Sequence, residues 1–229
     1  MDTVLTPTAV DLAGQSLGRI AVDLPGATAV LRRLKLDFCC GGHVTLQEAC
    51  TTKGLDLDAV RQELEELAQD APEPQLSAPS GELIDHILTR YHEVHRVQLP
   101  ELIRMARRVE AVHRDHPQVP AGLADFLEGV EAELLDHMAK EENILFPMLK
   151  RGGHPMAAQP IGVMRHEHTS HGEQLERLSQ LTNDHTPPEG ACNTWRALFA
   201  GTARLTDDLM QHIHLENNVL FSWFEGAAA

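Results

Sequence analysis

Two short segments of this chain repeat one pattern of histidine, glutamate, asparagine, leucine and phenylalanine. The first reads HMAKEENILF over residues 137–146, and the second reads HIHLENNVLF over residues 212–221. In each segment a histidine precedes a glutamate by four residues, so on a helix the two side chains share one face, a turn apart. Neutral imidazole and carboxylate groups are metal ligands, and two such pairs indicate two metal ions. The pairs are His137 with Glu141 and His212 with Glu216.

Each pair needs further nitrogen donors from neighbouring helices, and the repeat indicates where they lie. If two helices form each half of the molecule, the donor on the first helix precedes the pair by a similar distance in both halves. His92 precedes His137 by 45 residues, and His168 precedes His212 by 44. Other histidines nearby leave this choice open: His86, His95, His166 and His171. The predicted ligand set is His92, His137, Glu141, His168, His212 and Glu216.

A structural explanation competes with the metal interpretation. An isolated histidine–glutamate pair on a helix is more often a surface contact worth about 0.2–0.5 kcal/mol. Here the pair recurs, and the leucine and phenylalanine that follow it are expected to pack in the core and turn the pair inward. Glu142, one position further round the helix than Glu141, is expected to be a solvated neighbour.

The donor types narrow the choice of metal. Four imidazoles and two carboxylates suit two irons, although manganese tolerates the same ligands. Closed zinc sites favour cysteine and histidine at tetrahedral geometry, and magnesium or calcium favours oxygen donors alone.

Long amphipathic segments with short connections must position these residues. Apolar side chains recur at helical spacing from residue 82 onward, and the alternation typical of strands is rare. Pro100 lies inside the first segment and allows a kink or break near Gln98. These features predict an all-α, up-down four-helix bundle. Its predicted helices are Glu82–Arg114, Ala121–Leu149, Pro160–Leu181 and Ala191–Phe224.

A smaller unit is predicted ahead of the bundle. Residues 1–70 are expected to form a small helical domain, residues 71–81 are a linker rich in proline and serine, and residues 82–229 form the bundle. The small domain contains a Cys39-Cys40 turn followed by two glycines. Adjacent cysteines pair poorly in an ordinary disulfide. Cys39 and Cys40 are therefore candidates for accepting nitric oxide, contacting iron in transit or carrying electrons, with a structured turn of modest reactivity as the alternative.

The charge balance limits the classes of partner. The 229 residues carry 34 acidic and 19 basic side chains, a net charge of -15. Such a balance disfavours binding to nucleic acid and to anionic membranes. The sequence has no run of about 18 apolar residues and no basic region followed by an apolar core near its start, so neither a spanning helix nor a secretory signal is expected. Four cysteines form no disulfide framework, which makes the cytoplasm the expected location.

These motifs resemble those of the hemerythrin-like iron–sulfur cluster repair proteins, and the resemblance covers nearly the whole chain. Its markers lie at residues 85–92, 137–147 and 209–221 in the bundle and at residues 36–42 (LDFCCGG) in the small domain. The resemblance implies two iron ions bridged by carboxylates and an oxo group. The family's four histidines and two bridging glutamates fall on the six residues predicted above. Oxygen-carrying hemerythrins use a fifth histidine, and this sequence offers no obvious one.

The resemblance also implies a cytoplasmic stress protein that restores iron–sulfur clusters damaged by nitric oxide or oxidants. The first hypothesis is donation of iron, with Glu167 beside His168 as a candidate gate. The second is an enzyme that reduces nitric oxide at the ferrous pair, and the third is a sensor of oxygen or nitric oxide, so turnover is left open. The expected partners are damaged iron–sulfur proteins, these two gases and an unidentified electron donor, and a homodimer is left open.

Overall fold

Four short helices form the N-terminal unit. The computed structural model describes residues 11–70 (for 68–70 the backbone only), 80–153 and 156–225. It divides the chain into Met1–Leu76 and Ser77–Ala229. Residues 71–79 of the predicted linker lie outside the described residues. The helices of the first unit are α1 (Leu17–Asp23), α2 (Ala27–Arg33), α3 (Leu46–Lys53) and α4 (Leu57–Asp70).

Side-chain caps fix the starts of α1 and α3. The Ser16 hydroxyl accepts a hydrogen bond from the Arg19 N–H at 3.3 Å. Thr45 and Glu48 form a capping box, in which the Thr45 hydroxyl accepts from the Glu48 N–H at 3.2 Å and the Glu48 carboxylate accepts from the Thr45 N–H at 3.1 Å. Each cap satisfies helix-terminal donors and contributes about 1 kcal/mol. The capping box at Thr45 therefore ends the loop between α2 and α3, which carries both adjacent cysteines.

Four helical rods form the second unit, and the predicted all-α bundle is confirmed. Neighbouring rods pack in a ring, in which α6 and α9 each contact both α7 and α10. The first rod begins at Ser80, two residues before the predicted start. The first rod comprises α5 (Ser80–Ile87), π1 (Leu88–His92) and α6 (Glu93–Val112). The second comprises α7 (Leu123–Lys140), π2 (Glu141–Leu145) and α8 (Phe146–Lys150); the third is α9 (Ala158–Leu181); the fourth comprises α10 (Asn193–His214), π3 (Leu215–Leu220) and α11 (Ser222–Glu225).

Apolar residues after each histidine–glutamate pair anchor one end of the bundle. Leu145, Phe146, Leu220 and Phe221 are all buried and pack in one cluster with Ile161. Burying a side chain of this size stabilises the fold by about 1.5–3 kcal/mol. The predicted core role of these tails is confirmed, and their burial turns the preceding histidine and glutamate toward the bundle interior.

The first and fourth rods approach closely. A Cβ atom added at Gly201 of α10 would lie 2.6 Å from Leu102 Cδ2 of α6, so any larger residue here would force the Leu102 side chain to move. Pro100 lies within α6, which is continuous over Glu93–Val112. The break that the sequence allowed near Gln98 does not occur. The contact between the two rods places His92 of the first rod and His212 of the fourth rod close together in the bundle interior.

Three π-helical segments interrupt the rods where chemistry-bearing residues lie. In π1, π2 and π3 an N–H bonds to the carbonyl five residues earlier: Glu93 to Leu88, Phe146 to Glu141, and Phe221 to Glu216. Each segment adds one residue to a turn and rotates the following side chains by about 100° relative to a continuous α-helix. The sequence patterns gave no indication of these segments, because one inserted residue leaves the apolar periodicity on either side unchanged.

Candidate metal centre

Six buried side chains converge in the middle of the bundle. They are the predicted residues His92, His137, Glu141, His168, His212 and Glu216. Their ligand atoms form two groups, within each of which all atoms lie within 4.8 Å of one another. We call these the His92–His212 position and the His137–His168 position, and both glutamates belong to each. The facing Nε2 atoms are 3.1 Å apart in the first position and 3.2 Å apart in the second.

Each glutamate presents one oxygen to each position. Glu141 Oε2 lies 3.4 Å from His92 Nε2, and its Oε1 lies 3.4 Å from His137 Nε2. Glu216 Oε1 lies 3.3 Å from His212 Nε2, and its Oε2 lies 3.1 Å from His168 Nε2. Both carboxylates therefore span the two positions, as bridging ligands do.

The two carboxylates face imidazoles but accept no hydrogen bond from the described residues. Within the described residues, none of the four oxygens of Glu141 and Glu216 accepts a hydrogen bond, although both side chains are fully buried. An uncompensated buried carboxylate costs several kcal/mol. Two divalent cations at the two positions would supply the missing charge, so this donor set fits a metal centre.

Electrostatics keep the carboxylates ionised. Burial and repulsion from Glu216 raise the pKa of Glu141, but attraction to His137 and His92 outweighs both and lowers it overall. Burial also opposes ionisation of Glu216, and the histidines His212 and His168 bring its pKa well below the ordinary value. Burial lowers the pKa of His137, yet the nearby glutamates raise it overall to about 9. Metal binding at these residues therefore displaces protons from imidazole, because a histidine ligand must be neutral.

Glu142 orients His92, so the expectation of a solvated neighbour is wrong. The His92 Nδ1–H donates to Glu142 Oε1 at 2.7 Å, and Arg96 Nη2 donates to the same oxygen at 2.7 Å. The π2 segment, which begins at Glu141, is the part of the second rod that carries Glu142 to this contact. A hydrogen bond at Nδ1 fixes the tautomer that leaves the Nε2 lone pair for a metal ion.

Glu167 orients His137 as Glu142 orients His92. The His137 Nδ1–H donates to Glu167 Oε2 at 2.9 Å, and Lys140 Nζ donates to Glu167 Oε1 at 2.6 Å. The Glu167 side chain is 24% exposed, so it lies at the boundary between the buried centre and solvent. Its predicted role as a gate stays a prediction, and its role in orienting His137 is an additional one.

The remaining two histidines differ from each other. The His168 Nδ1–H donates to Asn217 Oδ1 at 2.8 Å. His212 Nδ1 is buried and has no hydrogen-bond partner anywhere in the described residues. The ring of Tyr91 stacks on His212 instead, with centroids 5.4 Å apart and an interplanar angle of 5°. Three of the four candidate ligands are thus oriented by a hydrogen bond, and the fourth by a ring.

Two further buried imidazoles adjoin the centre. The His95 ring lies 5.5 Å from that of His212, and the His171 ring lies 5.0 Å from that of His137. Burial lowers the pKa of His95 to about 2 and that of His171 to about 4, so both are neutral at physiological pH. Sequence reasoning treated them only as competitors for the ligand roles. Their spacing, three residues after His92 and His168, was the available indication.

The Cys39–Cys40 loop lies in the N-terminal unit. Asp37 organises it, since its carboxylate accepts from the Cys40 N–H and the Gly41 N–H, both at 2.9 Å. The two sulfur atoms are 3.7 Å apart, and they form with Asp37 a third group able to hold a metal ion. The hydrogen bond with Cys40, followed by burial, raises the pKa of Cys39 well above its ordinary value. Cys39 therefore rests as a thiol, which disfavours the interpretation of a standing thiolate at this residue.

Comparison with known proteins places both units in described families. The hemerythrin HHE cation-binding domain matches residues 83–224. The ScdA_N domain, described as a domain of unknown function (DUF542), matches residues 13–68 and includes both adjacent cysteines. Over the residues that the structure describes, no helix is long and apolar enough to cross a membrane.

Several proteins that match nearly the whole chain share the name iron–sulfur cluster repair protein YtfE. An iron–sulfur cluster repair protein YtfE of Dickeya chrysanthemi is 52% identical over 209 residues, covering 90% of this chain and 95% of that protein. A protein of the same name from Cronobacter sakazakii is 52% identical, and one from Escherichia coli O1:K1 is 51% identical, each covering 90% of this chain and 94% of the relative. The chain therefore belongs to the hemerythrin-like family of iron–sulfur cluster repair proteins.

Proposed function

We propose that this protein binds two iron ions at the bundle centre and repairs damaged iron–sulfur clusters by donating iron. The observation that carries the proposal is the pair of buried, unpartnered carboxylates that each span two groups of imidazoles. The relatives are named iron–sulfur cluster repair proteins, which supports the same function. We place this activity in the bacterial cytoplasm, with damaged iron–sulfur proteins as the acceptors.

Iron and manganese fit the donors better than calcium or zinc does. Each position offers two imidazole nitrogens and two carboxylate oxygens. This mixed set suits iron or manganese, whereas an all-oxygen site suits calcium and a thiolate-rich site suits zinc. Two bound irons supply redox chemistry and Lewis acidity, and as cargo they supply the metal that a damaged cluster has lost.

Different residues around the centre would hold the iron ions and control their release. Glu141 and Glu216 hold both ions through hard oxygen donors, which bind ferrous iron less strongly than ferric iron. We propose that an external electron donor reduces the pair before iron leaves. Glu167, at the solvent boundary, is the proposed gate, and its Lys140 contact would have to break for the side chain to swing outward.

A repair assay tests this proposal. Iron-loaded protein is mixed under reducing, anaerobic conditions with an enzyme whose [4Fe–4S] cluster has lost one iron, and recovery of that enzyme's activity is measured. Wild-type protein and the exposed control Glu176→Ala should restore activity, and Glu141→Ala should not. Equal recovery with Glu141→Ala, at matched total iron, would contradict donation from this centre.

A second candidate function is reduction of nitric oxide. Within the described residues each position gathers four protein donors, so an iron that prefers six ligands would have positions open to small molecules there. Reduced protein given nitric oxide and an excess of an electron donor that does not itself react with the gas should then produce nitrous oxide over many turnovers. Reversible binding of the gas without product would favour a sensor instead, and product at less than one equivalent per protein would exclude turnover.

We propose that Cys39 and Cys40 receive iron or nitric oxide during repair. Support comes from their 3.7 Å sulfur–sulfur distance and from Asp37, whose carboxylate completes a small metal-binding group. The variant Cys39→Ser/Cys40→Ser should retain two irons per chain and lose most of the repair activity. Full repair activity in that variant would leave the cysteines with a structural role only.

A further inference from the structure

The internal repeat allows contacts in one half of the bundle to be compared with their equivalents in the other. The segment from residue 137 aligns with the segment from residue 212, and His92 aligns with His168. Glu142 and Asn217 are equivalent, and they make equivalent contacts: Glu142 accepts from His92, and Asn217 accepts from His168. One orienting contact is therefore conserved at both metal positions.

The second orienting contact exists at only one position. His137 donates to Glu167, which Lys140 holds in place. In the other half, the residue equivalent to Glu167 is Tyr91, and the residue equivalent to Lys140 is Leu215. Neither can replace the carboxylate–lysine pair, and Tyr91 stacks on His212 instead. The sequence therefore explains why Nδ1 of His212 has no hydrogen-bond partner among the described residues.

The residues next to these contacts also differ between the halves, with more hydrogen bonds beside His137 than beside His212. The His171 Nδ1–H donates to Gln174 Oε1 at 3.0 Å, and Gln174 Nε2 donates to Glu133 Oε2 at 2.6 Å, which completes a chain of hydrogen bonds beside His137. The equivalents of His171 and Gln174 are His95 and Gln98. In the described residues both nitrogens of His95 and Oε1 of Gln98 lack hydrogen-bond partners, and Gln98 Nε2 reaches only the Gly201 carbonyl at 3.4 Å.

We propose that the two metal positions are unequal and that the His92–His212 position is the one that releases iron. The proposal rests on the proposed function, since it names which of the two ions is the cargo. The ion at the His137–His168 position is held by two oriented imidazoles and is the one retained.

The physical basis is the freedom of the unpartnered imidazole. A ligand imidazole whose Nδ1–H has no acceptor can rotate and change tautomer at lower cost, and removing such an outer partner weakens metal affinity by about 10–100-fold. Among the described residues of the native protein, His212 has no such partner. Both positions share Glu141 and Glu216, so the carboxylates do not favour either ion. The difference between the ions therefore depends on the outer contacts of the imidazoles.

Release of ferrous iron to a chelator tests the proposal. Anaerobic protein carrying two ferrous ions is mixed with excess ferrozine, and formation of the coloured complex is followed over time. We expect two phases of one equivalent each, differing in rate by about 10–100-fold. A single phase that releases both ions at one rate would overturn the proposal.

Two matched variants assign the phases. Glu142 and Glu167 are both carboxylates, 28% and 24% exposed, and each is held by one cation and accepts from one candidate ligand. Glu142→Ala should speed the fast phase and leave the slow phase unchanged. Glu167→Ala should speed the slow phase until the two rates converge. The reverse pattern would assign the released ion to the His137–His168 position and overturn the proposal.

Metal content separates this proposal from the proposed function. If the purified wild-type protein binds no iron, the iron-centre proposal fails before any release is measured. If it binds two irons that leave in two assigned phases but restores no cluster enzyme, the inequality stands and donation fails. If repair succeeds while release is a single phase, donation stands and the inequality fails.

Discussion

The two proposed metal positions have the same types of inner residue and different outer ones. Each has two histidines and a share in two glutamates, and their Nε2–Nε2 distances, 3.1 and 3.2 Å, are nearly the same. The outer contacts differ, because Glu167 and Lys140 support His137 while Tyr91 stacks on His212. The two positions therefore share the types of their candidate ligands and differ in the residues that orient those ligands.

If two irons bind here, this difference in outer contacts would make the two positions of a repeated scaffold unequal. Two equal ions would leave together or stay together. The equivalent residues Glu167 and Tyr91 differ in the two halves. Glu167 accepts a hydrogen bond from His137, whereas Tyr91 stacks on His212 and accepts none from it, and both histidines still face the centre. The comparison leads to four predictions, which begin with changes that abolish both positions and end with changes that adjust the surroundings of one.

Loss of a bridging carboxylate should have the largest effect. Glu141 presents an oxygen to each position, so Glu141→Ala should reduce metal content at both, from about two ions per chain to fewer than one. Elemental analysis of the purified protein measures this. Glu176→Ala is the control, because it removes an exposed carboxylate away from the six candidate ligands and should keep close to two ions. An unchanged metal content in Glu141→Ala would contradict the bridging arrangement.

Loss of one histidine should empty one position and leave the other. His212→Ala should retain one ion that ferrozine removes slowly, because the oriented pair of His137 and His168 still holds it. His168→Ala should retain one ion that leaves about 10–100-fold faster. Elemental analysis together with release kinetics measures both quantities. Equal release rates from the two variants would remove the claimed difference between the positions.

Copying the missing outer pair should make the positions alike. The variant Tyr91→Glu/Leu215→Lys places beside His212 the equivalents of Glu167 and Lys140, so the fast phase of iron release should slow by about tenfold or more. Tyr91→Phe is the control, since it keeps the stacked ring and adds no acceptor, and its release should match wild type. Thermal unfolding checks that both variants stay folded. Faster release from Tyr91→Phe would show that the phenol, rather than the missing acceptor, governs the His212 side.

The smallest effect concerns pH and the two extra imidazoles. Burial lowers the pKa of His95 to about 2 and of His171 to about 4, below the ordinary value near 6.5 in the unfolded chain. The unfolded chain therefore binds more protons, and the free energy of unfolding of the metal-free protein falls as pH drops below about 6.5.

Each histidine should contribute to this fall at about 1.4 kcal/mol per pH unit over its own window. His171→Gln should flatten the dependence only down to about pH 4, and His95→Gln should flatten it further into the acid range. Urea unfolding of metal-free protein between pH 4 and 7 measures the first window. A dependence in both variants equal to that of wild type would mean that neither histidine is held neutral by burial.

The sequence predicted the bundle and the inner residues because both follow from repeated local patterns. Helical periodicity identified the rods to within a few residues, and the repeat with its nearly equal spacings identified six residues that converge in the structure. The Leu-Phe tails were predictable for the same reason, since an apolar pair after each turn has no other place to pack.

The outer contacts could not be predicted, because they join residues on different rods. Glu142 was expected in solvent, and its contact with His92 depends on the packing of the first rod against the second and on the π2 segment. The same holds for Asn217 and His168. His95 and His171 looked like alternatives to the ligands, and only the packing places them beside the ligands instead.

Iron content with an optical spectrum tests the central claim most directly. Protein purified from iron-supplied cells is compared with the variant His137→Ala/His212→Ala, which removes one imidazole from each position. The account predicts two irons per chain with charge-transfer absorption in the wild-type protein, and loss of both the iron and the absorption in the variant. Iron absent from the wild-type protein, or present unchanged in the variant, would contradict a metal centre at these residues and leave the repeat as bundle packing.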